Sequence, residues 1–158
     1  MLLVAESPPS AKDRYFYFTD VTTQDGLWVE TMKHLYPEDF GPVATERTRK
    51  KRWLERLQAD GIFLIDAVKE PLVGSPNARV RMIRSQANAL VSEIRRLEPT
   101  AIVLIKSTVW EALREIFEDE ELPLLNRGPI PFPGSGQQKG FHEEMERLGV
   151  RSFIRFHK

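Results

Sequence analysis

The chain has 158 residues, of which 41% are hydrophobic and 29% are charged, a balance typical of one folded domain spanning residues 1–158. It contains no cysteine, which excludes disulfides, thiolate nucleophiles, and zinc or iron–sulfur sites built on cysteine. Lysine plus arginine and aspartate plus glutamate both number 23, so the net charge does not indicate a nucleic-acid partner. No apolar run approaches the ~20 residues that cross a membrane, and we expect a cytoplasmic protein without membrane contact.

Four segments have the composition of β-strands: residues 1–6, 61–68, 101–105 and, more weakly, 129–132. The second and third are continuous apolar runs, which are typical of strands covered on both faces. The alternation of residues 150–156 is compatible with a fifth strand. These segments predict a central sheet of four strands, or of five if the last one joins it.

Helical periodicity fills the intervals between the strands, over residues 27–35, 45–57, 80–97, 109–117 and 141–148. Ser107 and Thr108 precede the fourth of these segments and are good N-cap residues, and Gly149 suits the position after the last. Strands that alternate with helices predict a parallel sheet with right-handed crossovers. The expected fold class is therefore α/β, a three-layer α/β/α sandwich around a mainly parallel sheet.

Polar residues follow three of the predicted strands. The first strand ends at Glu6 and Ser7, and the two prolines behind them stop the pairing. The second strand ends at Asp66 and the fourth leads into the glycine-rich residues 134–139. Ligands of α/β proteins bind outside the carboxyl ends of parallel strands. With the aromatic residues 15–18 nearby, this edge suits a stacked ring attached to a phosphate, which turn amides and a helix N-terminus bind.

The same segments resemble, in this order, the motifs of the uracil-DNA glycosylase superfamily. Residues 5–9, Ala-Glu-Ser-Pro-Pro, are similar to the first motif, which is G-E-A-P-G in the thermophile-type branch. Residues 65–69, Ile-Asp-Ala-Val-Lys, match T-N-V-V-K, with Asp66 in the place of the base-reading Asn. Residues 132–135, Phe-Pro-Gly-Ser, share the Pro and Ser of the H-P-S motif, and residues 101–109 resemble the family's penultimate strand and helix start.

The resemblance implies an enzyme that flips one nucleotide out of duplex DNA and breaks its N-glycosidic bond. It implies that Glu6 positions the attacking water and that Asp66 reads the base edge. The resemblance places the base among Ser7, Phe16, Phe18 and Phe132, with Phe16 or Phe18 as the stacking ring. The DNA backbone is expected to contact Lys69, Gly134, Ser135, Gly136, Gln138 and Lys139. We expect a DNA partner, a monomer, and no metal or cofactor.

Two departures from the family motifs affect the expected chemistry. Phe132 stands where the family has the His that donates to the base anion, and losing such a donor costs roughly 3–4 kcal/mol by analogy with an oxyanion hole. Lys139 is a substitute donor or a phosphate contact, whereas His142 is expected at the surface. Ionised Asp66 only accepts hydrogen bonds, so it favours a base edge rich in N–H groups over uracil, and protonated Asp66 also donates.

Each of these residues also has a structural interpretation. Glu6 fits a strand-end acid that caps a turn, residues 15–18 fit core packing, and residues 134–136 fit a helix entry. Two basic blocks are expected to be solvated helix faces: Arg47, Arg49, Lys50, Lys51, Arg52 and Arg56, and Arg79, Arg81, Arg84, Arg95 and Arg96. The three tryptophans, Trp28, Trp53 and Trp110, are expected in the core.

Three functions remain open from the residues. The first is a DNA glycosylase-like enzyme that acts on a modified base. The second is an inactive relative that keeps the nucleic-acid-binding edge, because the motif glycines and the His are replaced. The third is an unrelated α/β enzyme that uses Glu6 or Asp66 as a general base on a phosphorylated metabolite.

Overall fold

The computed structural model describes residues 1–134 and 136–154. The described part of the chain contains three β-strands, seven α-helices and two short 3₁₀ helices. The strands are β1 (Leu2–Ala5), β2 (Phe63–Asp66) and β3 (Ile102–Leu104). The helices are α1 (Gly26–Leu35), α2 (Val43–Thr48), α3 (Lys50–Ala59), α4 (Pro76–Ser85), α5 (Ala87–Leu97), α6 (Ser107–Asp119) and α7 (Gln138–Arg147).

The chain divides into two compact units. The first unit consists of Met1–Pro8 and Phe63–Pro131, and the second consists of Pro9–Ile62 and the described residues from Phe132 onward. The first unit contains all three strands and the helices α4 to α6, whereas the second contains α1 to α3 and α7. The expectation of one domain over residues 1–158 stays a prediction.

The sheet of the first unit is parallel throughout, and its strand order is β2-β1-β3. In the register, Leu3 of the central strand lies opposite Leu64 on one side and Val103 on the other. Residues of β1 and β3 are all buried. The continuous apolar runs therefore form parallel strands, as the sequence predicts, and the α/β class is confirmed.

The core of the first unit lies between one face of the sheet and its helices. Val4, Ile65 and Leu104 alternate onto this face and pack in one hydrophobic cluster with buried side chains of α4, α5 and α6. Ser75 begins α4, because its hydroxyl oxygen accepts a hydrogen bond from the Ala78 N–H, and Pro76 occupies the first helical position. Trp110 packs against this cluster while partly exposed.

The fourth strand predicted at residues 129–132 does not form a ladder, and the described sheet has three strands. Only Ile130 pairs, in one isolated parallel bridge with Ile105, where its carbonyl accepts the Lys106 N–H at 2.8 Å. Prolines at 129, 131 and 133 carry no N–H donor, a pattern that is tolerated at a sheet edge and not in a central strand. The fifth predicted strand is wrong over its described part, since Val150–Phe153 is a 3₁₀ turn that follows Gly149. Residues 155 and 156 lie outside the described residues.

Two predicted helices are each divided. The segment 45–57 forms α2 and α3 with Arg49 between them, and the segment 80–97 lies in α4 and α5 with Gln86 between them. Both dividing residues have backbone angles outside the helical region. The apolar spacing hides these breaks, because the buried side chains on both sides of each break keep a near-helical spacing. The helices at 27–35, 109–117 and 141–148 are confirmed, within one to three residues at each end.

The second unit packs α1 against α7. Trp28, Met32, Trp53, Phe141 and Met145 are buried there, so both tryptophans are core residues as predicted. No helix among residues 1–134 and 136–154 has the length and apolarity needed to cross a bilayer.

The first basic block is not a wholly solvated face. Lys50 is buried, with its Nζ atom 4.8 Å from the centre of the Trp28 ring. Arg47 forms an ion pair with the buried Asp25, at 2.6 Å between Nη2 and Oδ1. The expectation of a solvated helix face is therefore wrong for these two residues, because buried partners in the second unit hold them.

Candidate functional site

The carboxyl ends of the three strands meet at one edge of the first unit. Ala5 lies opposite Asp66 in the register of β1 and β2, and Val4 lies opposite Leu104 in the register of β1 and β3. Glu6 follows Ala5 directly, and Lys106 lies two residues beyond Leu104. The sequence prediction that Glu6 and Asp66 belong to the same sheet edge is therefore correct.

Glu6 accepts three side-chain hydrogen bonds. Its Oε2 atom accepts from Lys106 Nζ at 2.6 Å and from Arg79 Nη1 at 2.7 Å. Its Oε1 atom accepts from Thr108 Oγ1 at 2.6 Å. Thr108 lies in the first turn of α6 and Arg79 lies on α4, so two helices and the end of β3 converge on the carboxylate.

The surroundings of Glu6 keep it ionised. Its burial raises the pKa, but the hydrogen bonds from Lys106 and Thr108 and the positive charges of Lys106 and Arg79 outweigh that effect, and the pKa lies below its usual value. A carboxylate with a lowered pKa is a weak proton acceptor. It remains a fixed negative charge that can orient a water molecule or stabilise a positive charge.

Asp66 has the opposite electrostatic character. Only 8% of the residue is exposed, and this burial raises the pKa of its carboxyl to about 6, against a smaller lowering effect of Lys69. Among the residues that the structure describes, none donates a hydrogen bond to this carboxylate. Asp66 is therefore partly protonated near neutral pH and is then able to donate a hydrogen bond.

The two carboxylates reach the edge from different faces of the sheet. Register partners in parallel strands lie on the same face, so Asp66 shares the face of Ala5. Glu6 contacts α4 and α6, the helices that cover the opposite face with Val4 and Ile65. A substrate that contacts both carboxylates would therefore lie across the strand ends.

The other predicted residues of this edge have structural partners. The hydroxyl of Ser7 accepts the Leu72 N–H at 3.2 Å, which closes the loop after β2. Lys69 Nζ lies 2.8 Å from Glu93 Oε2 and donates to the Asp66 carbonyl at 3.3 Å. These contacts support a structural role for both residues, and their predicted roles toward base and backbone stay predictions.

The remaining predicted residues belong to the second unit. Phe16 is buried against Tyr17, with the ring centres 5.1 Å apart, whereas Phe18 and Phe132 are 39% and 41% exposed. The Phe132 ring also limits Gly134, because a Cβ there would lie 3.2 Å from two ring atoms. The contribution of these aromatic residues to a base-binding pocket stays a prediction.

The predicted backbone-contacting segment begins α7. Gly136 has φ +82°, a conformation that favours glycine, and Gln138 is the first residue of the helix. Lys139 is exposed, with its Nζ atom 3.7 Å from Glu143. Ser135 lies outside the described residues. The role of this segment toward DNA stays a prediction.

His142 differs from its predicted surface role. Its Nε2 atom lies 2.7 Å from Glu30 Oε2, and its Nδ1 atom lies 3.4 Å from His34 Nδ1. Burial, with a smaller contribution from His142, lowers the pKa of His34 to about 4. The His142 and Lys33 hydrogen bonds outweigh burial and lower the pKa of Glu30. His142 therefore joins α7 to α1.

Sequence reasoning missed three residues of the site: Arg79, Lys106 and Thr108. Arg79 was expected on a solvated face, and Thr108 was expected as an N-cap. In the structure Lys106 is the cap position, with φ 90°, and the Thr108 hydroxyl donates to Glu6 instead. The signal in the sequence was available, since Lys106-Ser107-Thr108 follows β3 just as Glu6-Ser7 follows β1.

Comparison with known proteins does not assign the chain to a family. No family model matches it, and neither does any curated protein or solved structure. Within residues 1–134 and 136–154, no group of three or more His, Asp or Glu side chains is arranged to hold a metal ion.

Proposed function

We propose that the protein is a member of the uracil-DNA glycosylase superfamily that excises a modified base flipped out of DNA, as a monomer and without a metal. The observation that supports this most is the pair of carboxylates at neighbouring strand ends whose pKa values are shifted in opposite directions. Two carboxyl groups with separated pKa values are the usual division of labour in glycosidic bond cleavage.

Glu6 is assigned to the sugar side of the reaction. Cleavage of an N-glycosidic bond develops positive charge on the sugar, and an ionised carboxylate stabilises that charge and orients the attacking water. The lowered pKa of Glu6 suits this role and does not suit proton abstraction. Arg79 and Lys106, whose side chains are 27% and 30% exposed, give the cluster a net positive charge that suits a nearby phosphate.

Asp66 is assigned to the base. With its pKa raised to about 6, its protonated form donates a hydrogen bond to the departing base anion. This supplies the donor that Phe132 cannot provide at the family's His position. Above this pKa the ionised form predominates and only accepts hydrogen bonds, so at neutral pH the proposed substrates are bases with an N–H-rich edge in preference to uracil.

The proposal includes the four-stranded sheet of the family. The parallel bridge between Ile105 and Ile130 supports a fourth strand position beside β3, at a sheet edge where prolines are tolerated.

An inactive, DNA-binding relative is the second proposal. Both oxygens of Glu6 already accept hydrogen bonds from the chain's own side chains, which favours a structural role for that carboxylate. In this case the cationic pair Arg79 and Lys106 would bind phosphate, and no base would be released.

One assay separates these proposals. Duplexes that carry uracil, hypoxanthine, xanthine or a mismatch are incubated with the wild-type protein, Glu6→Gln, and the control Glu70→Gln, which changes an exposed acid close to the same edge. Binding with excision that Glu6→Gln abolishes supports the enzyme. Binding without excision supports the inactive relative. A protein that neither binds nor cleaves these duplexes would contradict both proposals and would favour a phosphorylated metabolite as the substrate.

A further inference from the structure

Positive charge is concentrated in one segment of the second unit. Residues 43–59, which include α2 and α3, contain six basic residues and two acids, although the whole chain is neutral. Three of the arginines line an open cavity of about 350 Å³ together with Trp53, Asp39 and Glu46. We call Arg49, Arg52 and Arg56 the arginine face.

The spacing of the arginine face follows the helix. Arg52 and Arg56 are four residues apart on α3, and Arg49 directly precedes that helix, so the three side chains line the same cavity. The seven steps from residue 49 to residue 56 correspond to about 10 Å at 1.5 Å per residue. That length equals the axial rise of about three base pairs of a duplex, at 3.4 Å of helix axis for each phosphate of one strand.

Aromatic rings fix one end of the arginine face. The Arg56 guanidinium lies 4.2 Å from the centre of the Tyr36 ring and 5.5 Å from that of Trp53, and its Nη1 atom is 2.7 Å from Asp39. Trp53 is held in turn, because its Nε1–H donates to Glu46 at 2.7 Å. Trp53 in the cavity lining is therefore held in one orientation before a ligand binds, which reduces the entropy lost on binding.

The other end of the arginine face has little internal compensation. The Arg49 side chain is 57% exposed, and Nη1 is 3.9 Å from the nearest carboxylate oxygen, on Glu46. Across the described residues, no carboxylate forms an ion pair with Arg52. Two guanidinium groups are thus available for an external anion. Their planar N–H donors match phosphate oxygens.

We infer that the arginine face is a docking surface for the phosphate backbone of duplex DNA, an inference that rests on the proposed function. A neutral chain has no general attraction for DNA, so a local cluster of guanidinium groups around one cavity supplies it. The contact is to the backbone, and it positions the duplex without reading its sequence.

The test measures the affinity of the full chain for a fluorescent duplex between 50 and 200 mM salt. The variant is Arg49→Glu/Arg52→Glu, and the control is Arg81→Glu/Arg96→Glu, which makes the same charge change at two exposed arginines of α4 and α5. We expect the first variant to lose at least tenfold in affinity and to reduce the salt slope by roughly 2, at about 0.9 per phosphate contact. The control is expected to change affinity less than threefold.

Equal losses in the two variants would overturn the inference, because net charge alone would explain them. Unchanged affinity in the first variant would overturn it too, as would a wild-type protein that binds acidic vesicles or an acidic peptide but no DNA. Arg52→Glu alone keeps the test valid if the double variant fails to fold, since Arg52 supports no ion pair in the described residues. If the wild-type protein binds DNA and excises a base, but the arginine-face substitutions leave DNA affinity unchanged, only this inference is refuted. A wild-type protein without DNA affinity refutes the proposed function as well.

Discussion

Lys106 Nζ lies 2.6 Å from Glu6 Oε2, and this contact joins the end of β3 to the end of β1. The two residues are 100 positions apart in the chain. Since Glu6 is buried, the lysine compensates a carboxylate that would otherwise be costly to leave ionised.

Removing this lysine charge should destabilise the fold. Lys106→Met leaves Glu6 with Arg79 and Thr108 as partners, and we expect a loss of about 1–3 kcal/mol in the free energy of unfolding at pH 7. Urea denaturation measures it. Lys139→Met, at an exposed position, is the matched control and should change stability by less than about 0.5 kcal/mol. Equal effects of the two substitutions would contradict the role assigned to Lys106.

Asp66 should make the protein less stable at neutral pH than at acid pH. Its pKa is raised from 3.8 to about 6 in the folded state, so its contribution is most favourable below pH 3.8 and is lost as the pH rises through 6. Asp66→Asn should therefore stabilise the protein at pH 8, by up to about 3 kcal/mol, and have little effect at pH 3.5. Denaturation of both proteins at the two pH values measures the difference. A difference in the free energy of unfolding that is the same at both pH values would contradict the raised pKa of Asp66.

Titration of His34 should change stability with pH in the opposite direction to that of Asp66, over an overlapping pH range. Its pKa is lowered from 6.5 to about 4, so the folded protein loses stability as the pH falls from 6.5 toward 4. One proton corresponds to a slope of up to about 1.4 kcal/mol per pH unit. We expect His34→Gln to flatten this slope, measured in the Asp66→Asn background to remove the opposing contribution. An unchanged slope would show that another group titrates.

Gly136 should be sensitive to substitution for a reason of backbone conformation alone. Its φ is +82°, and a Cβ added there meets nothing within 4 Å. Gly136→Ala is therefore expected to cost about 1–2 kcal/mol of stability from the left-handed conformation. Gly128→Ala is the control, because it has equal space and no unfavourable φ. Thermal unfolding compares them, and equal midpoints would contradict the prediction.

The strands that carry the site could be predicted, because three apolar runs ended by polar residues are a local signal. The extent of pairing at residues 129–132 could not be predicted, since the apolar residues there suggest a strand and the structure pairs only Ile130. One partner of Glu6, Arg79, was not predictable from the local pattern either. Arg79 is 73 positions away and lies among exposed arginines of similar spacing, so only the fold shows which of them is an ion-pair partner.

The opposite pKa shifts of Glu6 and Asp66 also could not be predicted from the sequence. Both are acids that follow apolar strands, and no property of the chain near them separates their pKa values. The difference arises because Glu6 accepts three side-chain hydrogen bonds, which offset its burial. In the described part of the chain, no side chain donates a hydrogen bond to the Asp66 carboxylate, so burial raises its pKa.

The pH dependence of base release tests most directly whether protonated Asp66 acts on the departing base. Single-turnover excision from the best substrate of the panel is measured from pH 5.5 to 8.5 for the wild-type protein and Asp66→Asn. We predict that the wild-type rate rises as the pH falls toward 6, because Asp66 becomes protonated, and that Asp66→Asn loses this rise and shifts base choice toward uracil. Base release with the same pH profile and the same substrate preference in both proteins, or no release from any substrate, would contradict it.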